Sequence, residues 1–370
     1  MDASPWQRIG LPSFAFMSVV IGGGYATGRE IVEFFMRAGP AWGFAGLAVT
    51  ACTWSAIAAL SFDLAREAGA YDSQRFFRRL LGRAWWLFDL CYIAILVLVL
   101  CVLGAAAGEI VARLLGWPVF AGAVVLLIAV TVVLHLGADA VERFFSVWGV
   151  AMTVAYVLVL VAGLWLLREP IHAALALPVQ GERNWAVGGL QYAGYNLAVI
   201  PAILNCARHQ RTRRDSMYAG LLCGPVAILP GLCLYVSLLG VYPAALQAPI
   251  PLHLLLERLG APWLEVTLQV IIFGTLVQTG VGVLQGFTER LFSGRVTTPR
   301  RDQWRRTVAS FAVTVFALFV ADRVGIVALV ASGYGTLSWL VIATFVVPLL
   351  WNRLARRSSP AAQGRMARND

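Results

Sequence analysis

Apolar residues run along this chain in stretches of about 20 or more, the length an α-helix needs to cross the hydrocarbon of a bilayer. Ten stretches fit: 12–36, 40–66, 84–113, 117–136, 143–168, 185–207, 215–241, 262–292, 304–322 and 324–352. Only Asp322 and Arg323 separate the last two. The pattern predicts an all-α polytopic membrane protein with ten transmembrane helices. A first repeat of five helices occupies 12–168 and a second 185–352, joined by an extracytoplasmic linker at 169–184. Residues 1–11 and the small, polar 353–370 are cytoplasmic ends, the second disordered. An odd number of spans per repeat inverts one half relative to the other, a 5+5 inverted repeat.

Two of the stretches are interrupted at comparable places. The first reads Ile21-Gly22-Gly23-Gly24-Tyr25-Ala26-Thr27-Gly28-Arg29-Glu30. Each glycine disfavours a helix by roughly 1 kcal/mol relative to alanine, and backbone unpaired in hydrocarbon is penalised by several more. Such a break persists only where it lines an enclosed cavity. The second is Tyr192-Ala193-Gly194-Tyr195-Asn196-Leu197-Ala198-Val199-Ile200-Pro201. Discontinuous helices in corresponding positions of two halves point to a solute site near the midplane.

Composition agrees with the pattern: 59% of residues are hydrophobic and 13% charged, against roughly 25% charged in soluble domains. The net charge of +10 is no sign of a nucleic-acid partner, because the arginines flank the spans. With the N-terminus inside, 22 arginines lie on cytoplasmic segments and six on the other side. The positive-inside rule therefore places both termini in the cytoplasm. All 29 basic residues are arginine, which excludes lysine chemistry. The six cysteines show no C-x-x-C spacing and read as buried thiols. Segment 72–83 (DSQRFFRRLLGR) is basic and amphipathic and reads as an interfacial helix.

The candidate site residues follow from the breaks. Gly22, Gly23, Gly24 and Tyr25 line the first, where backbone amides can meet a carboxylate and carbonyls a cation. Tyr192, Tyr195 and Asn196 line the second. Ionisable groups inside a span are functional hypotheses by default. Glu33 has Arg29 and Arg37 at helical spacing, whereas Glu30 has no such partner and is available to a cationic solute or a proton. Arg29 reads as a gate or a structural residue. In the eighth span Thr275 and Thr279 lie one turn apart, with Gln278 beside them, as candidate ion ligands. The competing reading of these threonines is a bond to their own helix. No nucleophile–base or zinc motif occurs, so no enzyme, cofactor or metal beyond a coupling ion is expected.

The Gly-Gly-Gly-Tyr-Ala-Thr-Gly-Arg-Glu run and the ten-span layout resemble the YkvI family of bacterial membrane proteins, within the amino acid–polyamine–organocation superfamily of LeuT-type fold. The resemblance implies that spans 1 and 6 unwind around the solute, at Gly22, Gly23, Gly24, Tyr195 and Asn196, with spans 3 and 8 completing the pocket. It also implies an extracellular gate at Arg29, with Asp322 as partner. Sodium-coupled relatives usually carry adjacent hydroxyl residues on span 8, but here Leu276 follows Thr275. Coupling to Na+ through the threonines or to H+ through Glu30 both stay open.

The expectation is a secondary transporter of a small zwitterion or amine, amino-acid-like, working by alternating access with the bilayer and the solute as partners. A ligand sensor on a transporter fold and a channel are the alternatives. The sequence leaves monomer and homodimer undetermined.

Overall fold

The computed structural model describes residues 4–22, 25, 27–135, 148, 154–155, 157–177, 184–258, 260, 262–292 and 299–357. Among them only helices, turns and connecting segments occur. The first expected span is two helices, α1 (Leu11–Val20) and α2 (Arg29–Phe34). They are followed by α3 (Trp42–Ala68), the short α4 (Ser73–Leu81), α5 (Trp85–Leu115) and α6 (Val119–His135). Next come α7 (Val157–Leu166), α8 (Arg168–Leu175), α9 (Trp185–Leu197) and α10 (Ile200–His209). The chain ends with α11 (Arg213–Leu239), α12 (Pro251–Arg258), α13 (Pro262–Phe292), α14 (Pro299–Val324) and α15 (Ile326–Ala355).

Five segments of the described residues are long and apolar enough to cross a bilayer, and two bent pairs, α7–α8 and α9–α10, bring the number to seven. The remaining expected spans fall on the shorter apolar helices 119–134 and 308–321 and on the interrupted 11–34. The chain is a multi-pass membrane protein. Its exposed Leu, Val, Phe and Trp side chains are numerous, as on a surface that faces lipid.

Two boundaries can be placed. The last two spans divide at Gly325 (φ 74°), two residues beyond the Asp322–Arg323 turn that the sequence marks. Glycine takes this left-handed conformation without penalty and so ends α14. The linker expected over 169–184 begins as helix α8, turned 73° from α7.

Small residues set the spacing of the helices around the interrupted segments. A Cβ on Gly220 of α11 would lie 2.1 Å from the backbone of Ala59 in α3, and one on Gly224 would lie 2.1 Å from the Ala51 carbonyl. Gly189 of α9 approaches the Gly46 carbonyl of α3 as closely as a missing side chain permits, 2.5 Å for its absent Cβ. Thr50 of α3 then donates to the Gly189 carbonyl at 2.9 Å, and the Trp54 indole donates to the Ala193 carbonyl at 3.3 Å. Such small-residue contacts let helix backbones approach where no hydrophobic force separates helix from lipid.

Arginines counted on one side by the sequence meet at one end of the molecule. Asp63, in the last turns of α3, is only 1% exposed. It pairs with Arg66 at 2.7 Å, Arg353 at 2.8 Å and Arg213 at 3.5 Å, which joins α3, α11 and α15. At the opposite end Arg113 of α5 pairs with Glu257 of α12 and, at 2.8 Å, with Glu265 of α13.

Beside that second cluster, His253 on α12 is buried at 7% exposure. Burial, reinforced by the Arg113 guanidinium, lowers its imidazole to about 4, with Glu257 opposing. An unfolded histidine titrates near 6.5. Between these values the unfolded chain binds more protons than the folded one, so stability rises with pH across the window. Acidification is expected to lower the melting temperature as pH falls below about 6.5, with the effect complete near 4. His253→Gln should flatten that part of the melting-temperature profile; an unchanged profile would assign it to other groups.

Candidate functional site

The first break opens at Ile21, where ψ turns to 76° and the helix stops, and the Gly22 amide folds back onto the Val20 carbonyl at 2.8 Å. It closes at Gly28, whose φ of 73° suits glycine, and whose missing side chain leaves room for Leu238 at 3.2 Å. The Thr27 hydroxyl accepts from the Arg29 amide at 3.2 Å, at the start of α2. Gly23 and Gly24 lie outside the described residues.

The second interruption is shorter and later than expected. Tyr192, Tyr195 and Asn196 all lie within helical α9, and the chain bends by 44° only across Ala198 and Val199. Pro201 explains the position. It has no N–H to offer the Leu197 carbonyl four residues earlier, so the helix is released there. The last turn tightens instead, with the Ala198 and Val199 amides donating to the Tyr195 and Asn196 carbonyls at 3.2 and 3.1 Å. The Asn196 amide group donates to its own helix at the Tyr192 carbonyl, 2.9 Å away.

The two interrupted segments meet at Glu30. This carboxylate sits in the first turn of α2 at 5% exposure and accepts from the Tyr195 hydroxyl at 2.5 Å. Among the described residues no basic side chain lies within ion-pair distance of it. Aromatic rings fill the surroundings. Tyr195 stacks on Tyr334 of α15 with centroids 4.4 Å apart, and meets Phe34 at 5.9 Å and Tyr192 at 5.6 Å. Tyr192 in turn contacts Tyr25, Phe35 and Trp54. Gly231 of α11 leaves the space into which the Tyr25 hydroxyl projects, 2.5 Å from where a Cβ would stand.

Arg29 is fully buried, and one of its partners is the Glu33 that the helical spacing offered. It donates to Glu33 at 2.6 Å and to the Leu246 and Ala248 carbonyls at 3.0 and 3.1 Å, in the connection before α12. Arg37 shares Glu33 at 2.8 Å. Glu33 thus binds both neighbours that the helical spacing offered. The side chain of Asp322 lies outside the described residues.

On α13, Thr275 and Thr279 donate to the Ile271 and Thr275 carbonyls at 3.0 and 2.9 Å. This is the self-bonding that competes with an ion site. Thr279 also faces the first break: a Cβ on Gly22 would stand 3.7 Å from its hydroxyl oxygen. Gln278 is half-buried on the same helix.

Sequence reasoning missed Tyr334, Phe34 and Trp54 as wall residues. One aromatic among many in an apolar span carries no local signal. Gln191 and Ser338 were missed as well. Their bonds, Gln191 to the Gly335 carbonyl at 3.3 Å and Ser338 to the Gln191 carbonyl at 2.6 Å, hold α9 against α15.

The chain is 24% identical over 352 residues to the membrane protein YkvI of Bacillus subtilis (strain 168), covering 94% of this chain and 96% of that one. No protein-family model matches it. Its fold is similar to a manganese transporter of Eremococcus coleocola (TM-score 0.61, 15% identity, 92% of this chain and 77% of the other). It is similar to MhsT in complex with L-phenylalanine (TM-score 0.61, 15% identity, 94% and 88%). A Na+-coupled sialic acid symporter superposes at TM-score 0.55 with 12% identity, over 93% and 87%. The chain is thus similar to YkvI along nearly its whole length and has the fold of the LeuT-type transporters.

Proposed function

We propose that the chain is a secondary transporter of a small amine-bearing solute, working by alternating access in the bacterial inner membrane with its arginine-rich end in the cytoplasm. The observation that carries this reading is Glu30. A carboxylate buried between two interrupted segments, ringed by Tyr195, Tyr192, Tyr25, Tyr334 and Phe34, is a donor set suited to an ammonium group. Carboxylate charge and aromatic faces both favour such a cation, and more strongly away from water. Glu30 also changes the role expected for the half-helix end. An acidic residue in the first turn of α2 already complements the positive end of its dipole. The site therefore recognises the amine end of an amino-acid-like solute first.

The neighbours in fold are, by their names, a manganese transporter, MhsT in complex with L-phenylalanine and a Na+-coupled sialic acid symporter. The fold alone does not choose among them. A coupling ion has two candidate places. Thr279 lies against Gly22, which supports Na+ between α13 and the first break; Glu30 supports H+. No cofactor enters this reading.

The test is a thermal-shift screen of amines, amino acids and polyamines on the purified protein, with sodium or choline as the salt. A ligand at about 100 times its Kd stabilises by about 2.7 kcal/mol. Hits are then tested for exchange across proteoliposomes. Amine hits that exchange support transport. Hits that bind without exchange assign the chain to ligand sensing, and hits confined to anions overturn the role of Glu30.

A further inference from the structure

The basic helix α4 is not used by the solute site, yet its chemistry is specific. Asp72 caps it, accepting from the Arg75 amide at 2.9 Å. Phe76 and Phe77 are buried at 0% and 1% exposure. Phe77 stacks on Phe88 of α5 with centroids 3.6 Å apart, and both Phe76 and Phe77 meet Phe345 of α15 edge-on. The apolar side of α4 is therefore spent on protein. An interfacial helix ordinarily inserts that side into lipid; here the insertion is not what the helix offers.

What it offers is charge. Arg75, Arg78 and Arg79 are exposed at i, i+3 and i+4 spacing, and Arg83 is exposed just beyond the helix. Arg75 has Asp72 within 3.3 Å. Among the described residues no carboxylate lies within ion-pair distance of Arg78, Arg79 or Arg83. The Arg78 guanidinium lies 5.0 Å above the ring of Trp85, the first residue of α5. The next residues, Trp86, Leu87 and Leu90, are 54%, 38% and 60% exposed, apolar side chains on the surface of a membrane span. Tryptophan at a span end marks the headgroup level. The arginine stripe thus stands where lipid phosphates are.

We propose that α4 and the turn after it bind the phosphate of an anionic phospholipid, with Arg78, Arg79 and Arg83 as its ligands. The guanidinium fork matches phosphate oxygens in pairs. Three unmatched charges beside the point where α5 enters the bilayer fit an anionic headgroup and not a zwitterionic one. Because Phe77 ties α4 to both α5 and α15, the bound lipid also holds these elements together.

The test uses the full chain, purified and delipidated, with phosphatidylglycerol, phosphatidylcholine or inorganic phosphate added. Lipid retention is read by native mass spectrometry and stability by melting temperature. The wild type is expected to retain phosphatidylglycerol over phosphatidylcholine and to be stabilised by it, less so at high salt. Each arginine near an anionic surface is worth about 1 kcal/mol, so Arg78→Gln/Arg79→Gln/Arg83→Gln should weaken retention on the order of 100-fold. Arg208→Gln/Arg214→Gln, elsewhere at the same end, should change it little. The corresponding triple lysine variant keeps the charge and should fall between. Equal retention of the two lipids, or a glutamine variant that retains phosphatidylglycerol like the wild type, overturns the proposal. Stabilisation by inorganic phosphate alone, without lipid preference, would overturn it in favour of a soluble anion. Loss of lipid preference in the Arg208/Arg214 control to the same extent would assign the effect to overall charge and also count against it.

Discussion

Glu30→Gln should abolish binding of an amine solute while leaving the protein folded and, without ligand, at least as stable as the wild type. Two different consequences of the same change support this. Removing one member of a buried charge pair weakens binding by about 2–5 kcal/mol, a loss of roughly 30-fold to several thousand-fold. The free protein, however, no longer has to bury a carboxylate that lacks a basic partner, and a neutral amide is far less costly to keep from water. The Tyr195 hydroxyl, 2.5 Å from Glu30, can donate to the glutamine carbonyl instead. A structural role predicts the reverse pattern: a lower melting temperature with ligand affinity kept. Tyr195→Phe separates the groups further. It removes one hydrogen bond to a charged group, worth about 1.5–3 kcal/mol, and should weaken binding less than Glu30→Gln does. Ligand-induced shifts in melting temperature and equilibrium binding on the three proteins decide the matter. Affinity in Glu30→Gln within a few-fold of wild type would remove Glu30 from the site.

How the site was legible explains which residues it was legible from. The break at Gly22–Gly28 announced itself because consecutive glycines in an apolar stretch contradict the local need for a helix. Glu33 between Arg29 and Arg37 was readable from spacing of four residues, and the bonds formed at 2.6 and 2.8 Å follow that spacing. Glu30 and Tyr195 were each nominated by local arguments, but their contact across 165 positions was not. Periodicity reports the face a residue occupies, not which distant face meets it. Tyr334 was invisible for that reason. The partners of Arg29 were invisible for another: the Leu246 and Ala248 carbonyls belong to backbone, and no residue type marks them. The second interruption was read over Tyr192 to Pro201, and the bend falls in the last few residues of that run. The proline acts on the carbonyl four positions before it, which leaves Tyr195 and Asn196 inside the helix.

Asp63 is the clearest case of a residue whose spacing suggested little and whose surroundings imply much. Near the end of an apolar stretch it reads as an interfacial or structural acid. In the fold its side chain is 1% exposed, and it lies between Arg66, Arg353 and Arg213, of which Arg353 is 16% exposed and also reaches Glu67 at 3.3 Å. Removing a buried charge that others depend on usually destabilises by about 3–5 kcal/mol, because the remaining charges stay behind uncompensated. Arg213 is 62% exposed and can turn to water, so the lower part of that range applies. Asp63→Ala is therefore expected to lose about 3 kcal/mol, read as a fall in melting temperature in detergent. Arg353→Ala should lose less, since Asp63 keeps Arg66. The double variant should be more stable than the sum of the two losses predicts, by more than about 0.5 kcal/mol, as contacting charges require. Strict additivity would mean that Asp63 and Arg353 do not act on one another. Coupling would mean that α3 and α15 are clamped at this end. If the end opens during transport, the clamp must release Arg353 each time, and Asp63→Ala should then also speed modification of Cys206 in α10 by a water-soluble thiol reagent.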